Sequence, residues 1–287
     1  MTAIEPSRTH EKRHDANAMI ASALREAAAL LKAQDASPFR SMAYLKAATT
    51  IENLDEDISE IATGGMEALD AIPNIGKVIG AAILELLSTG RWSQLDRLRG
   101  GLEPEAAFRA IPGIGPTLAR QIHEHLDVDT LEALETAAHD GRLGKVPGIG
   151  PRRLSIIRNA LSGMLSRYHR GRRYYPDQSP PSVDLLLSVD DEYRTKAEAG
   201  KLRQIAPSRF NPEGKPWLPV LHTERGPWHF TALYSNTARA HELGKTGDWV
   251  IIFCSSDHQS EGQYTVVTET SGRNKGKRVV RGRENEQ

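Results

Sequence analysis

Three five-residue stretches of the chain combine a proline and small residues between apolar ends. They read Ile72-Pro-Asn-Ile-Gly76, Ile111-Pro-Gly-Ile-Gly115 and Val146-Pro-Gly-Ile-Gly150. The chemistry they support is anion binding. Proline has no N–H and restricts the residue before it, so an incoming helix stops there. The small residues permit positive φ and a tight reversal. The next helix then starts with its first N–H groups unpaired, and those donors and the helix dipole favour a phosphate oxygen. Asn74, Ile75, Gly76 and Lys77 are the expected contacts of the first copy. Gly113, Ile114 and Gly115 are those of the second, and Gly148, Ile149 and Gly150 those of the third. Arg152 and Arg153 open the helix after the third copy, where the dipole disfavours cations; a bound phosphate there would offset that cost.

A second group of polar side chains lies between Leu221 and His241. His222 and Glu224 alternate onto one face if this stretch is a strand. His229, Tyr234, Arg239 and His241 follow within reach. Such a set could bind a metal or do acid–base work on a phosphodiester. The spacing matches no metal-ligand signature, and histidines on strands also serve as hydrogen-bonded scaffolding. His222, Glu224, His229 and His241 are therefore candidates, and no catalytic residue is assigned.

The elements that hold the first group are helices, and each phrase is a helix-hairpin-helix turn. Residues 17–33 place Ile20, Leu24, Ala28 and Leu31 on one face. A helix capped by Ser37 is expected to carry Phe39, Ala43, Ala47 and Ile51 inward, with Tyr44 half-buried. Residues 55–62 continue helical. Arg91, Arg97 and Arg99 cluster around a short helix after the first hairpin. Asp129 or Thr130 caps a helix ending near His139, and a long helix carrying Arg158 runs from Pro151 to about Tyr168. Residues 169–181 are basic and Pro-rich, a linker whose Tyr174 and Tyr175 could stack on bases. Residues 183–189 form an apolar β-like run, and 191–202 look helical. Strands are expected at 220–223, 228–234, 249–254, 263–268 and 278–281, with a turn at Arg225-Gly226-Pro227. The expected fold class is α + α/β. An all-helical N-terminal half with three helix-hairpin-helix motifs precedes a mixed α/β, mostly antiparallel C-terminal domain. The expected units are a disordered tail at 1–14, helical domains at 15–100 and 101–168, the linker, and an α/β domain at 182–287. The last ends in a basic tail with Lys275, Lys277, Arg278 and Arg281.

The bulk properties narrow the partner. The chain has 287 residues, with 37 Lys+Arg balanced by 37 Asp+Glu, so there is no global basic field. Nucleic-acid affinity must come from local patches and backbone N–H groups. Cys254, the one cysteine, excludes an intramolecular disulfide and fits a reducing cytosol. No apolar run approaches the ~20 residues needed to span a bilayer. The expected location is cytoplasmic, on the nucleoid in a bacterium.

Residues 17–161 resemble the N-terminal part of the family X DNA polymerases, particularly the bacterial form. The resemblance is carried by Ser37-Pro-Phe-Arg-Ser-Met-Ala-Tyr-Leu-Lys-Ala-Ala48 and by the first hairpin with its Leu87-Ser-Thr-Gly90 ending. Ile111-Pro-Gly-Ile-Gly-Pro116 and Gly141-Arg-Leu-Gly-Lys-Val-Pro-Gly-Ile-Gly150 complete it. It implies a first domain that holds the downstream 5′ side of a gap and a second module that grips the primer side. It also implies phosphate-binding turns at 74–77 and 113–116, and a monovalent cation on the carbonyls of Ile111, Gly113 and Ile114. Two departures follow. The Schiff-base lysine of the lyase-active members lies six residues beyond the last hairpin glycine, and here that position is Ala82, which has no amine. The second half has Asp184, Asp190 and Asp191 but lacks the Gly-Ser phosphate loop of a two-metal palm. The expectation is a sequence-nonspecific DNA-binding protein of repair or maintenance, acting on duplex near a gap, nick or end. Its C-terminal domain would recognise a protein partner, a DNA end or a lesion. The alternative is a nuclease or lyase whose active site lies in the C-terminal α/β domain.

Overall fold

The computed structural model describes residues 8–101, 105, 108–126, 128, 131–169, 180–256, 259–270 and 272–286. A helical half leads into a six-stranded sheet. The helices are α1 (Arg8–Ala33), α2 (Pro38–Glu52), α3 (Ile58–Ile61), α4 (Gly65–Asp70), α5 (Lys77–Thr89), α6 (Ser93–Leu98), α7 (Pro116–Leu126), α8 (Leu131–His139) and α9 (Pro151–His169). One apolar core runs through them, from Ile20 and Leu24 through Ile83 and Phe108 to Ile157 and Leu161. The helix α1 begins at Arg8, so the expected disordered tail is helical over 8–14. No proline or glycine interrupts the chain between Arg8 and Ala33, and Glu11, Lys12 and Arg13 are good helix formers.

The helix α2 is rotated from the expected phase. Phe39 is 86% exposed and Ala43 is exposed, whereas Ser41, Tyr44, Ala47, Ala48 and Ile51 are buried. Tyr44 sets the phase. Its hydroxyl donates to Gln94 Oε1 at 3.1 Å, and its ring lies 5.6 Å from that of Trp92. It is fully buried, not half-buried. Ser37 stands at the N-cap, as expected, but its side chain makes no capping bond. Of residues 55–62 only Ile58–Ile61 is α-helical, because Asp57 caps there, accepting from Ser59 N at 2.7 Å.

In the C-terminal half, α10 (Val183–Glu198) precedes β1 (Arg203–Ile205), β2 (Leu218–Arg225) and β3 (Trp228–Tyr234). Then come α11 (Ala238–Glu242), β4 (Val250–Ser256), β5 (Gln259–Thr268) and β6 (Arg278–Val280). The β-like run at 183–189 is thus the start of a helix. Ser182 caps it, accepting from Leu185 N at 3.2 Å, and Val183, Leu186, Val189 and Tyr193 bury at three- and four-residue steps. A run of Val and Leu carries no period of its own, so cap and burial decide it. All strands pair antiparallel in sequence order. The expected turn joins β2 to β3, with Gly226 at φ 56°.

The two faces of the sheet have different neighbours. One packs Leu221, Phe230, Ala232, Ile252 and Val266 against the buried stripe of α10. The other carries Ile205, Leu218, Val220, Leu233, Ile251 and Phe253. By strand alternation His222 and Thr231 share that second face, and they bond Gln34 and Arg40 of the helical half.

Candidate nucleic-acid interface

The three turns share one geometry. At each, the first and fourth residues are buried and the second, third and fifth exposed. Ile75, Ile114 and Ile149 are the inward anchors, each contributing about 1.5–3 kcal/mol of burial. Their N–H groups donate to the carbonyls of Ile72, Ile111 and Val146, at 3.1 Å in every case. The third residue takes the left-handed conformation: Asn74 at φ 65°, Gly113 at 88° and Gly148 at 83°. Asn is the non-glycine residue that visits this region most readily, and Asn74 Nδ2 is also tied to Thr50 Oγ1 at 3.0 Å. Around the fifth residue there is open space. A Cβ on Gly76, Gly115 or Gly150 would meet nothing within 4 Å. The first bonds of the following helices run from Gly80 N, Ala119 N and Leu154 N back to those glycine carbonyls, at 2.8, 2.9 and 2.9 Å. The N–H groups of each first turn thus lie ahead of the ladder and next to an exposed glycine. The first helix opens on Lys77, while α7 and α9 open on Pro116 and Pro151, which bring no N–H.

The second and third hairpins pack reciprocally. A Cβ on Gly113 would lie 3.9 Å from Ile156 of α9, and one on Gly148 would lie 4.0 Å from Leu118 of α7. Each turn thus rests on the helix that the other turn starts, which puts both turns on one side of the pair. Ile156, 44% exposed, sits beside the Gly113 turn.

The arginines divide into those that face out and those used inside. Arg152 is exposed. Arg153 bonds the carbonyl of Gly148 in its own hairpin. Arg158 bonds the Ala138 carbonyl, with Nε at 2.8 Å, and so caps the C-terminal end of α8. The Arg91, Arg97 and Arg99 cluster is committed to carboxylates rather than left for phosphates. Arg91 pairs with Asp96 at 2.8 Å, Arg99 with Glu26 at 2.6 Å, and Arg97, 4% exposed, with Glu261. The basic tail is also occupied in part. Arg278 spans Asp190 and Asp248, and Arg281 pairs with Glu269. The linker residues 170–179, with Tyr174 and Tyr175, lie outside the described residues.

The C-terminal candidates do not converge. His222 is held on both ring nitrogens, with Nδ1 3.0 Å from Thr231 Oγ1 and Nε2 3.0 Å from Gln34 Oε1. Burial, with the charges of Arg40 and Arg97, pushes its pKa down to about 3, so the ring is neutral. Glu224 and His229 are cross-strand partners, Oε1 to Nδ1 at 3.0 Å, on an exposed surface. His241 bonds Asn236 Oδ1 at 2.6 Å and lies against the ring of Phe210. Thr237 caps α11, accepting from Ala240 N at 3.1 Å. Among the described residues no group of three His, Cys, Asp or Glu side chains could hold a metal. Among them, too, no helix is long and apolar enough to cross a membrane.

Sequence reasoning missed a cluster at the seam between the two halves. Glu85 of α5 accepts from Ser93 N at 2.8 Å, and burial pushes its carboxyl up to about 7. Glu105, His123 and Arg209 form a second cluster. Glu105 Oε1 lies 3.0 Å from His123 Nδ1 and 2.8 Å from Arg209 Nη1. Burial opposes ionisation of Glu105, but His123 and Arg209 outweigh it and hold the carboxyl down at about 2. No local spacing joins residues so far apart in sequence.

Comparison with known proteins finds two matched families, both helix-hairpin-helix. A helix-hairpin-helix domain matches residues 15–92, and a SAM-like helix-hairpin-helix tandem matches residues 106–162. The DNA polymerase/3'-5' exonuclease PolX of Bacillus subtilis (strain 168) is 27% identical over 172 residues. That alignment takes in 58% of this chain and 29% of the relative, so the chain spans well under half of the relative's length. The helical half thus resembles the N-terminal region of family X polymerases.

Proposed function

We propose that this chain is a DNA-binding protein of repair or maintenance, which grips duplex near a gap, nick or end without reading sequence. The observation that carries the reading is the three-fold recurrence of one turn, each with buried anchors beneath an exposed glycine and a helix N-terminus. Backbone N–H groups at Gly76 and Lys77, at Gly113 and Gly115, and at Gly148 and Gly150 would take phosphate oxygens. Such contacts position a protein on duplex but carry no base information. Arg152 would add a side-chain charge. Lys77 would add a side-chain charge at the first hairpin, whereas Pro116 and Pro151 open the tandem's two helices without an N–H of their own.

A monovalent cation fits the second hairpin. The carbonyls of Ile111, Gly113 and Ile114 would hold it, and its charge would draw a phosphate to that turn. Support comes from the third hairpin, where the Gly148 carbonyl already receives a cationic group, the Arg153 guanidinium.

The test is affinity for intact, nicked and short-gapped duplex at one salt concentration with Mg²⁺, each reaction then run on a denaturing gel. Tighter binding to the gap with uncut strands is the expected result. The logarithm of affinity should fall with that of salt, with a slope of about −0.9 per phosphate neutralised. Cut strands would move the function to the C-terminal domain. No binding to any DNA would overturn the reading.

A further inference from the structure

The chain passes from the first hairpin unit to the tandem through the end of α6 and the Gly100-Gly101 joint. The C-terminal domain reaches that joint from three directions. Arg97 of α6 pairs with Glu261 of β5, and its guanidinium lies 3.6 Å from the centroid of Phe253 on β4. The carbonyl of Leu98 accepts from Gln34 Nε2 at 2.7 Å, and the same amide's oxygen accepts from His222 of β2 at 3.0 Å. The carbonyl of Gly100 accepts from Ser208 N at 2.8 Å. Gly100 itself is at φ 81°, and a Cβ there would stand 2.2 Å from the Ala206 carbonyl oxygen. The next residue in that loop, Arg209, crosses to Glu105 and His123 on the tandem side, at 2.8 and 3.2 Å. Asn236 holds the loop by donating to the Arg209 carbonyl at 3.0 Å. On the first-unit side, Arg203 pairs with Asp35 at 2.7 Å and Arg40 reaches Thr231 at 3.5 Å.

One domain therefore grips both sides of the joint and the joint itself. Units connected by a short linker move relative to each other unless an interface holds them. Here α9 packs on α4 and α5, and the C-terminal domain holds the connection from its own side.

We propose that the C-terminal domain is an intramolecular brace that fixes the setting of the first hairpin unit against the tandem. This assigns a role to a domain in which His222, Glu224, His229 and His241 do not come together into one cluster. Its consequence for binding rests on the DNA reading above: a fixed setting presents the turns as one rigid grip, which selects DNA by shape. The brace itself does not depend on that reading.

The experiment places spin labels on full-length protein at Lys46→Cys and Asn159→Cys, both on exposed positions of α2 and α9. Cys254 is buried, with its thiol pushed up to about 12, and takes no label. The expected result without DNA is one narrow distance distribution. Gly100→Ala and Arg209→Ala should each widen it, by about twofold, while far-UV circular dichroism stays unchanged. If Gly100→Ala fails to fold, Glu261→Gln replaces it. A distribution that stays narrow in the folded variants overturns the brace. In parallel, the ratio of affinity for gapped over intact duplex is measured. Wider distances with that ratio falling towards unity support the brace as the source of selectivity; wider distances with an unchanged ratio overturn that role. Absence of DNA binding in the parent would sink the DNA reading and leave the distance result standing.

Discussion

Gln34 Oε1 and His222 Nε2 meet at 3.0 Å across the seam between helices and sheet. A carboxamide oxygen only accepts, so Nε2 carries the proton and Nδ1 accepts from the Thr231 hydroxyl. The ring is neutral when folded, since burial and then the charges of Arg40 and Arg97 push its pKa from 6.5 down to about 3. Below pH 6.5 the unfolded chain binds a proton here that the folded chain refuses, so stability falls as pH drops towards 3. His222→Gln removes this dependence. Urea midpoints at about pH 7 and about pH 5 should therefore lie closer together in the variant than in the parent.

Glu85 has the opposite sign. Burial raises its carboxyl from 4.5 to about 7, with Glu261 adding to the shift and Ser93 and Arg97 opposing it. Its contribution is complete below pH 4.5 and is lost as pH rises through about 7. Glu85→Gln keeps an uncharged group of similar shape. Thermal melts across that window should show a flatter pH profile in the variant, and an identical slope in both proteins would refute the assignment.

The turn glycines are unequal. Gly113 and Gly148 hold φ of 88° and 83°, whereas Gly115 faces open space without positive φ. Gly113→Ala or Gly148→Ala should cost about 1–2 kcal/mol in denaturant unfolding, and Gly115→Ala well under that. Asn74→Ala should behave like the first pair, because Asn74 is at φ 65° and also loses its bond to Thr50.

Arg152 and Arg158 should separate binding from stability. Arg158→Ala strips a cap from α8 and should cost about 1 kcal/mol of stability. Arg152→Ala should leave the unfolding midpoint unchanged, weaken DNA binding, and reduce the salt slope by about 1. Equal effects of the two variants on both measurements would contradict this division.

The turns were legible because everything that makes them is local: a proline, a small residue and two apolar anchors within five positions. The phase of α2 was not. Its sequence offers Phe39 and Ala43 on one stripe and Tyr44 and Ala48 on another, and only the distant partners Gln94 and Trp92 choose between them. The run at 183–189 was misread because a stretch of Val and Leu suits strand and helix alike until a cap or a packing face decides. For the C-terminal histidines the sequence offers both a site and hydrogen-bonded scaffolding, but not the partners that decide between them. The partner that holds His222 Nε2 is Gln34, just past the end of α1, with no local sequence relation to it, and the neutrality comes from burial and the charges of Arg40 and Arg97.

Every strand of the sheet is bonded to its neighbour in sequence, β1 through β6. Such a meander pairs each strand with its sequence neighbour, so its loop-closure cost is small beside that of contacts between the two halves. The contacts across the seam join residues that are 164 and 188 positions apart, so loop-closure entropy weighs most on them and they are expected to form last. Changes at the seam should consequently register in how fast the native chain opens, while the rate at which it folds stays nearly as it was.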